Sequence, residues 1–122
     1  MKILIVDDEP SVRKSIARLL KAGGHEVMEA DNPSLAFQVV KENKDIGLVI
    51  TDNSMPAGGE GLKFIERTRR YSSNLRIILV SGYMSDVLFD EAKLLGAEAA
   101  VNKNGLSDYL RKTGVLPELI SA

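Results

Sequence analysis

The sequence lacks several residues and segments that define whole classes of protein. It contains no cysteine, which excludes disulfide bonds, thiolate metal sites and catalysis by a thiol. No apolar stretch approaches the roughly 20 residues needed to span a bilayer. Met1-Lys2 leads directly into a four-residue apolar run, which is too short for the core of a signal peptide. We therefore expect a cytoplasmic protein without a membrane partner.

The sequence also lacks an excess of charge of either sign. Sixteen basic and seventeen acidic residues give a formal net charge of −1, so no general electrostatic attraction for nucleic acid is expected. Apolar residues make up 44% and charged residues 27% of the chain, which is an ordinary globular mixture. A length of 122 residues suits one domain with a core. We expect a single domain over residues 1–122, with no effector domain.

Five short apolar runs predict β-strands, and they lie at residues 3–6, 25–30, 46–51, 75–80 and 98–101. The first and fourth are continuous rather than alternating, which is typical of strands covered on both faces. Between and after these runs, apolar residues recur at helical spacing and predict five helices. Strands that alternate with helices through short links predict a parallel sheet in a three-layer, doubly wound α/β domain.

The predicted helices begin and end at residues typical of helix ends. Pro10 suits the first turn of the first helix, which ends at Gly23-Gly24, and Asn32-Pro33 begins the second. Gly114 and Pro117 interrupt the fifth helix, after which residues 116–120 allow one further turn. The expected core-facing stripes are Val12, Ile16, Leu19 and Leu20; Leu35, Ala36, Val39 and Val40; Leu62, Ile65 and with them Phe64; Leu88, Ala92 and Leu95; and Leu106, Tyr109 and Leu110.

Two further segments are interpreted without a chemical role. Arg13 is expected to face solvent, and the basic residues at 67–70 are expected to complement the C-terminus of the third helix. The glycine-rich loop at 57–61 lacks the Gly-Lys-Ser/Thr ending of a phosphate-binding P-loop. We interpret it as a pliable connection.

Polar residues directly follow four of the predicted strands: Asp7 and Asp8 after the first, Asp52 after the third, Ser81 after the fourth and Lys103 after the fifth. Because the carboxyl ends of parallel strands lie at one edge of a sheet, these side chains are expected to converge. Asp31 follows the second strand and would flank the group. Taken alone, Asp52 is equally consistent with a turn residue that ends its strand.

Three carboxylates beside one lysine would remain under-compensated, because two carboxylates about 4 Å apart repel by roughly 4 kcal/mol at an effective dielectric of about 20. Either one carboxyl group is protonated or a cation lies among them. Oxygen ligands with neither cysteine nor a nearby histidine favour Mg²⁺. A carboxylate beside a metal ion, a lysine and a hydroxyl suits phosphoryl transfer, with the carboxylate as the nucleophile that becomes an acyl phosphate.

At these residues the chain resembles the receiver domain of two-component response regulators. The resemblance covers essentially the whole length and rests on four motifs: Val6-Asp7-Asp8-Glu9-Pro10, Thr51-Asp52-Asn53-Ser54-Met55-Pro56, Val80-Ser81-Gly82 and Val101-Asn102-Lys103. It implies a flavodoxin-like fold with strand order 2-1-3-4-5. It also implies a phosphoacceptor in two-component or phosphorelay signalling.

The resemblance implies a role for each residue of the group. Asp52 would accept a phosphoryl group from a sensor histidine kinase or a phosphotransfer protein. Asp8 and Asp52 would bind Mg²⁺ by their side chains, Ser54 by its backbone carbonyl and Asp7 through water. Ser81 and Lys103 would contact the phosphoryl oxygens, while Ser54, Gly82 and Tyr83 would tune how long the acyl phosphate lasts. The chain would catalyse only its own phosphorylation and dephosphorylation, and so would not be an enzyme.

The chain departs from the family pattern at two positions. Receivers usually have proline after the lysine and an aromatic residue three positions before it, where this chain has Asn104 and Ala100. A switch would then rely on Ser81, the loop after the fourth strand and the fourth helix. Tyr83, two residues after Ser81, is a candidate substitute for the missing ring, and the favoured alternative is an exposed loop aromatic that shields the site. The short fifth helix weakens any expectation of dimerisation through the fourth helix, fifth strand and fifth helix.

Two residues outside the polar group carry weaker expectations. Phe89 lies beside the core stripe of the fourth helix and is a candidate partner contact, with partial burial as the alternative. His25 is expected to be a surface residue at a strand edge rather than a ligand or a phosphate carrier.

Other functions remain open for this pattern. A degenerate receiver could bind partners without being phosphorylated; the presence of all five polar positions argues against this, and Ala100 and Asn104 favour it. A flavin-binding electron carrier of the same fold would need Ser, Thr and Gly after the first strand, where this chain has Asp7-Asp8-Glu9. A Mg²⁺-dependent phosphatase with an aspartyl nucleophile would need an acid at position 54, which is serine. The downstream partner is not predicted.

Overall fold

Five β-strands and five α-helices alternate along the chain in the computed structural model, which describes residues 1–53 and 60–119. The strands are β1 (Lys2–Val6), β2 (Glu26–Ala30), β3 (Ile46–Asp52), β4 (Arg76–Ser81) and β5 (Ala99–Asn102). The helices are α1 (Pro10–Ala22), α2 (Pro33–Glu42), α3 (Glu60–Tyr71), α4 (Asp86–Leu95) and α5 (Leu106–Lys112), and a short 3₁₀ turn at Lys103–Gly105 joins β5 to α5.

All described strand pairs are parallel, and the sheet has the order β2-β1-β3-β4-β5. The predicted doubly wound α/β fold and its strand order are therefore confirmed. Because every pair is parallel, the carboxyl ends of all five strands lie at the same edge. This edge carries the residues that the sequence singles out.

Alternate residues of the central strands face opposite layers of helices. Leu4, Val49 and Leu79 belong to one buried cluster, together with Ala36 and Phe64 from α2 and α3. A second cluster, on the other face, contains side chains from the central strands and from α1 and α5, among them Ile3, Ile5, Leu48, Ile50, Ile78, Leu20 and Leu110. Both faces of the sheet are covered, which explains the continuous apolar runs.

Polar side chains define the starts of two helices. The side chain of Asn32 accepts a hydrogen bond from the Leu35 backbone N–H at 2.8 Å and caps α2. The Ser85 hydroxyl accepts one from the Leu88 N–H at 3.1 Å and caps α4. Each cap satisfies a backbone donor that has no partner within the helix.

The C-terminus of α4 depends on Gly96. Its φ of +119° lies in the left-handed region, and a Cβ atom there would come within 2.7 Å of the Arg69 side chain. Arg69 donates from Nη2 to the Gly96 carbonyl at 2.6 Å and from Nη1 to the Ser73 carbonyl at 2.9 Å. One of the arginines predicted to complement the end of α3 therefore also holds the end of α4 in place.

Some sequence-based expectations about individual side chains are wrong. Leu35, expected on the core stripe of α2, is 45% exposed, and Phe37 is buried in its place. Arg13, expected to face solvent, donates from Nε to Glu29 Oε1 at 2.9 Å across the α1–β2 contact. Gly61 lies in the first turn of α3 rather than in a connecting loop. Within residues 116–119, no further helical turn forms.

The segment after α5 packs back against α1 and β2. Gly114 has a φ of +81°, a conformation that glycine adopts without strain, and Val115 and Leu116 are buried after it. His25 is half-buried rather than at the surface, and its ring Nε2 donates to the Val115 carbonyl at 2.6 Å. His25, the residue before β2, therefore connects the start of that strand to the segment that follows α5.

None of the helices in residues 1–53 and 60–119 is both long enough and apolar enough to cross a bilayer.

Candidate functional site

Three carboxylates form a cluster at the carboxyl edge of the sheet. Asp7, Asp8 and Asp52 each offer an oxygen atom, and these oxygens lie within 4.8 Å of one another. Asp7 and Asp52 are buried, with 2% and 3% of their surfaces exposed, respectively. The predicted convergence of residues 7, 8 and 52 is thus present in the fold.

The register of β1 and β3 brings the acids together. Val6 pairs with Thr51 in the parallel ladder, so the chain places Asp7 beside Asp52 one residue later. Alternate side chains of the two strands pack in the two buried clusters, and a slip by one residue would exchange the cluster into which each side chain packs, so this packing fixes the register. The buried core therefore holds two like charges close together.

Backbone and side-chain contacts hold Asp7 in place. Its Oδ1 accepts a hydrogen bond from the Glu9 N–H at 2.9 Å. Its own N–H donates to the Ala30 carbonyl at 3.1 Å, and its carbonyl accepts from Arg13 Nη1 at 2.9 Å. Arg13, in turn, is fixed by Glu29. Arg13 thus supports the site without contacting the carboxylates, a role that the sequence analysis missed.

Burial raises the pKa of Asp7 above its ordinary value, and the negative charge of Asp52 raises it further. The hydrogen bond from the Glu9 N–H and the charge of Lys103 act in the opposite direction and do not overcome the burial. The protein environment therefore disfavours the charged form of Asp7 unless additional positive charge is present.

Lys103 reaches the acids from the end of β5. Its Nζ lies 3.7 Å from Asp52 Oδ1 and 3.8 Å from Asp7 Oδ2. The bond between Lys103 and Asn104 is a trans peptide, like every other peptide bond that the structure describes. Residues 103–105 form a 3₁₀ turn instead. A lysine at this end of the sheet thus faces the acid cluster without a following proline.

Ser81 is the last residue of β4, and its hydroxyl is directed to the loop that follows. The hydroxyl donates to the Tyr83 carbonyl at 2.8 Å and accepts from the Tyr83 N–H at 3.3 Å. Because a hydroxyl has one proton to donate, that proton is taken by Tyr83 in this structure. The role of Ser81 as a phosphoryl contact stays a prediction.

The surroundings of Ser81 bear on the predicted switch. Tyr83 is 80% exposed, as expected for a loop aromatic. Ala100 is buried beside Leu79, its register partner in β4, and belongs to the cluster against which Met84 and Leu88 pack. A methyl group fills the position where the family tends to have a ring. Ser54, predicted as a metal ligand and modulatory residue, lies outside the described residues.

Gly61 is a site residue that the sequence analysis missed. A Cβ atom at this position would lie 2.6 Å from the Asp52 carbonyl oxygen and 2.8 Å from the Asn53 Cα. Glycine therefore lets the first turn of α3 approach the end of β3. A signal was available in the sequence, since a glycine inside a helix costs up to about 1 kcal/mol relative to alanine and requires a reason.

The arrangement fits a divalent cation with oxygen ligands. Among Asp7, Asp8, Asp52 and Lys103 there are three potential negative charges and one positive charge, and the carboxylate oxygens already lie within 4.8 Å of one another. A hard ion such as Mg²⁺ prefers this donor set. A carboxylate–lysine pair beside such a site can accept and stabilise a phosphoryl group.

The strand order β2-β1-β3-β4-β5, with acids and a lysine at the carboxyl edge of the sheet, agrees with the class of signalling domain that the sequence resembles. Comparison with known proteins identifies the family. Residues 3–119 match the family described as "Response regulator receiver domain". The chain therefore belongs to the response-regulator receiver domains.

The chain is also similar to two curated proteins. The chain is 33% identical over 97 residues to "Sporulation initiation phosphotransferase F" of Bacillus subtilis. The aligned region covers 79% of this chain and 76% of that protein. It is 34% identical over 110 residues to "Aerobic respiration control protein ArcA" of Escherichia coli, which covers 90% of this chain. The match spans only 41% of ArcA, so the activity of that whole protein does not transfer.

Solved structures have the same fold. The beryllofluoride-activated NtrC4 receiver domain dimer superposes with a TM-score of 0.81 at 25% identity, over 94% of this chain and 95% of that one. The chemotaxis protein CheY4 of Vibrio cholerae superposes with a TM-score of 0.80 at 25% identity, over 91% and 96% of the two chains.

Proposed function

We propose that the protein is a phosphoacceptor receiver domain that takes a phosphoryl group onto Asp52 with Mg²⁺ bound at the acid cluster. The donor is the phosphohistidine of a histidine kinase or of a phosphotransfer protein. The observation that carries the proposal is the position of Asp52, buried beside Asp7 and Asp8 and 3.7 Å from the Lys103 amine.

The reaction moves one phosphoryl group between two nucleophiles. A carboxylate oxygen of Asp52 attacks the phosphorus, the bond between phosphorus and the donor's imidazole nitrogen breaks, and an acyl phosphate remains on Asp52. The electron pair of the broken bond returns to the imidazole ring. Lys103, already within 4 Å of Asp52, balances charge on the phosphoryl oxygens.

The residues that would hold Mg²⁺ are Asp8 and Asp52 by their side chains, Ser54 by its backbone carbonyl, and Asp7 through water. When bound, the ion supplies positive charge to the phosphoryl oxygens as they approach a group of acids. Asp7 remains anchored meanwhile by the Glu9 N–H at 2.9 Å. Its charged form is favoured once the positive charge is present.

Ser81 couples the site to the loop before α4. To donate a hydrogen bond to a phosphoryl oxygen, its hydroxyl must give up the 2.8 Å bond to the Tyr83 carbonyl. The loss of that bond releases the backbone at Tyr83, which lies just before the Ser85 cap of α4. Phosphorylation would thus reach α4 through the loop after β4, without an aromatic ring at position 100.

The output is a protein contact, and α4 offers a surface for it. Val87 and Leu94 are 66% and 87% exposed, and they lie seven residues apart on the same side of the helix. Phe89 is 40% exposed and has the Lys93 amine 5.9 Å from its ring centroid. Phe89 lies on a different side of α4 from Val87 and Leu94, because residues two apart in a helix point in nearly opposite directions. We assign it to a separate part of the partner contact, as the sequence analysis considered.

The chain itself catalyses only the formation and hydrolysis of its own acyl phosphate. A second function, a receiver that binds partners without phosphorylation, is favoured by one observation: Ala100 is buried beside Leu79, at the position where the family tends to have the aromatic ring of its switch. The two functions differ in whether Asp52 is ever modified.

Intact-mass measurement after incubation with Mg²⁺ and acetyl phosphate separates the two. The phosphoacceptor function predicts one phosphoryl adduct on the wild-type chain, none on Asp52→Asn, and an unchanged adduct on Asp31→Asn, an exposed acid that follows β2. No adduct on the wild-type chain, or an adduct that persists in Asp52→Asn, leaves the phosphorylation-independent function as the better account.

A further inference from the structure

The side chain of Asn102 connects the two loops that carry Ser81 and Lys103. Its Oδ1 accepts a hydrogen bond from the Asn104 backbone N–H at 3.0 Å. Its Nδ2 donates to the Gly82 carbonyl at 3.4 Å, a long bond that is weaker than the first. One amide group thus touches the chain on both sides of the site.

The two partners fix the orientation of the amide. A backbone N–H can only donate and a carbonyl can only accept, so the oxygen must face Asn104 and the nitrogen must face Gly82. No other orientation satisfies both partners. An aspartate, a serine or an apolar residue at this position would lose at least one of the two bonds.

The sheet places Asn102 where this connection is possible. Asn102 ends β5 and is the register partner of Ser81, which ends β4. Gly82 follows Ser81, and Lys103 follows Asn102. The Asn102 amide therefore bridges the two chain segments directly after the ends of β4 and β5. Ser81 is in turn tied to Tyr83, which extends the connection into the loop before α4.

The first of these bonds shapes the turn that carries Lys103. Asn102 caps the 3₁₀ turn at Lys103–Gly105, and the bond to the Asn104 N–H is available only because residue 104 is not proline. A chain with asparagine at 104 has a free backbone donor and a peptide without the restricted φ of proline. The Asn102 side chain supplies the restraint instead.

We propose that Asn102 is a positioning residue, which sets the place of Lys103 against Asp52 and couples it to the loop after β4. This inference rests on the proposed function, because Lys103 matters for phosphoryl transfer only if Asp52 is the acceptor. Loss of the Asn102 amide loosens Lys103, and a lysine displaced by an ångström stabilises the phosphoryl oxygens less well.

Three variants test this in the full chain, with acetyl phosphate as the phosphodonor. Asn102→Ala removes both bonds. Asn102→Ser keeps a hydroxyl that can accept from the Asn104 N–H but does not reach Gly82. Asn104→Ala changes the neighbouring side chain, which is exposed, and keeps the backbone N–H.

The expected result is a graded loss of phosphorylation rate. Asn102→Ala slows the reaction by about tenfold, Asn102→Ser falls between it and the wild type, and Asn104→Ala stays within about twofold of the wild type. The Mg²⁺ concentration for half-saturation is unchanged in all three, because Asp7, Asp8 and Asp52 are untouched. Backbone amide resonances of Gly82 and Tyr83 shift in Asn102→Ala and not in Asn104→Ala.

Two outcomes overturn the inference. One is phosphorylation of Asn102→Ala at the wild-type rate; the other is an equal loss of Mg²⁺ affinity and of rate in Asn102→Ala and Asn102→Ser, which marks a general structural defect. Failure of the proposed function has a different appearance: the wild-type chain itself takes no phosphoryl group, whereas the amide shifts at Gly82 and Tyr83 still report whether Asn102 connects the loops.

Discussion

At the scale of single residues, Asp7 shows the conflict between folding and metal binding. It is 2% exposed and lies beside Asp52, and burial raises its pKa above the ordinary value. Its charged form is therefore less favourable in the metal-free fold than in the unfolded chain, and a nearby cation acts in the opposite direction. A residue with this balance lowers the stability of the metal-free protein.

We predict that Asp7→Asn raises the free energy of unfolding in EDTA by about 1 kcal/mol at neutral pH, because it removes a buried charge and keeps an oxygen for the Glu9 N–H. Urea unfolding measures the effect. In saturating Mg²⁺ the difference shrinks or reverses, since the wild-type chain gains more from the ion. A variant that is less stable than the wild type in EDTA would show that Asp7 stabilises the metal-free fold.

The polar residues at the strand ends could be predicted from the sequence. The side-chain contacts between secondary-structure elements could not. Asp7 and Asp52 directly follow apolar runs, and Asp8 and Lys103 lie one residue further along, so a parallel sheet brings all four to one edge whatever the details of packing. The roles of Asn102 and Arg13 depend on which backbone carbonyl or carboxylate lies opposite. That information comes from the register and the packing of helices on the sheet.

At the scale of secondary-structure elements, the first turn of α3 and the end of β3 are in close contact. A Cβ atom at Gly61 would lie 2.6 Å from the Asp52 carbonyl oxygen, so any larger residue must push the two elements apart. Alanine in a helix is otherwise favoured over glycine by up to about 1 kcal/mol. At Gly61 the steric clash outweighs this preference, so alanine is expected to lower the free energy of unfolding.

We predict that Gly61→Ala lowers both stability, by about 1–3 kcal/mol, and the rate at which Asp52 is phosphorylated. The matched control is Gly105→Ala, because a Cβ atom at Gly105 meets nothing within 4 Å and its φ of −99° suits alanine. Unfolding curves and acetyl phosphate kinetics measure the two effects. Equal behaviour of the two variants would remove the role given to Gly61.

An ion pair joins the start of β4 to the residue before β5, and a hydrogen bond from α5 reaches the same carboxylate. Arg76 donates to the two oxygens of Glu98 at 2.8 and 3.1 Å, and the Tyr109 hydroxyl donates to Glu98 at 2.6 Å. The hydrogen bond from Arg76 lowers the pKa of Glu98 below its ordinary value of 4.5. Burial and the bond to Glu98 raise the pKa of Tyr109 to about 12.

We predict that Glu98→Gln is less stable than the wild type at pH 7, by only about 1 kcal/mol because solvent screens an arginine side chain that is 37% exposed. The stabilisation is present above the unfolded-state pKa of Glu98 and is lost as the pH falls through its lowered folded-state pKa. The gap between variant and wild type therefore closes below pH 4.5. Unfolding measured from pH 3 to pH 7 tests it.

The Glu66→Gln variant serves as the control for Glu98→Gln. Glu66 pairs with Arg70 at 3.6 Å on the surface of α3, and both side chains are largely exposed. Its loss is expected to change stability by no more than about 0.5 kcal/mol at any pH. An equal effect of the two variants would mean that the contact between β4, β5 and α5 adds nothing to the fold.

At the scale of the whole molecule, metal binding and folding are linked. The acids that would hold Mg²⁺ come from β1 and β3, the neighbouring central strands, so the site exists only when the sheet has formed. A ligand that binds only the folded state stabilises it in proportion to the logarithm of its concentration. Acid repulsion in the metal-free state adds to the effect.

We predict that Mg²⁺ at about ten times its dissociation constant raises the free energy of unfolding by about 1.4 kcal/mol. Asp8→Asn loses this gain, and Asp31→Asn, at the end of β2 and outside the cluster, retains it. Urea unfolding at several Mg²⁺ concentrations measures the dependence. Retention of the full gain in Asp8→Asn would place the ion elsewhere.

The fold as a whole was largely predictable because its pattern is repeated. Five apolar runs separated by amphipathic segments permit few topologies, and the resemblance carried by residues 6–10 and 51–56 selects one of them. Leu35 and Phe37 show where the pattern fails: both fit an apolar stripe approximately, and which one is buried depends on how α2 sits beside α3. Periodicity gives the buried face of a helix, but it does not decide between residues at the border of that face.

The account rests on Asp52 as the phosphoryl acceptor, and chemical trapping tests that directly. Borohydride reduces an acyl phosphate on aspartate to homoserine, which peptide mass spectrometry locates in the chain. After incubation with acetyl phosphate and Mg²⁺, the account predicts homoserine at position 52 alone, and none without Mg²⁺. Homoserine at position 7 or 8 instead, or none at any position, would contradict it.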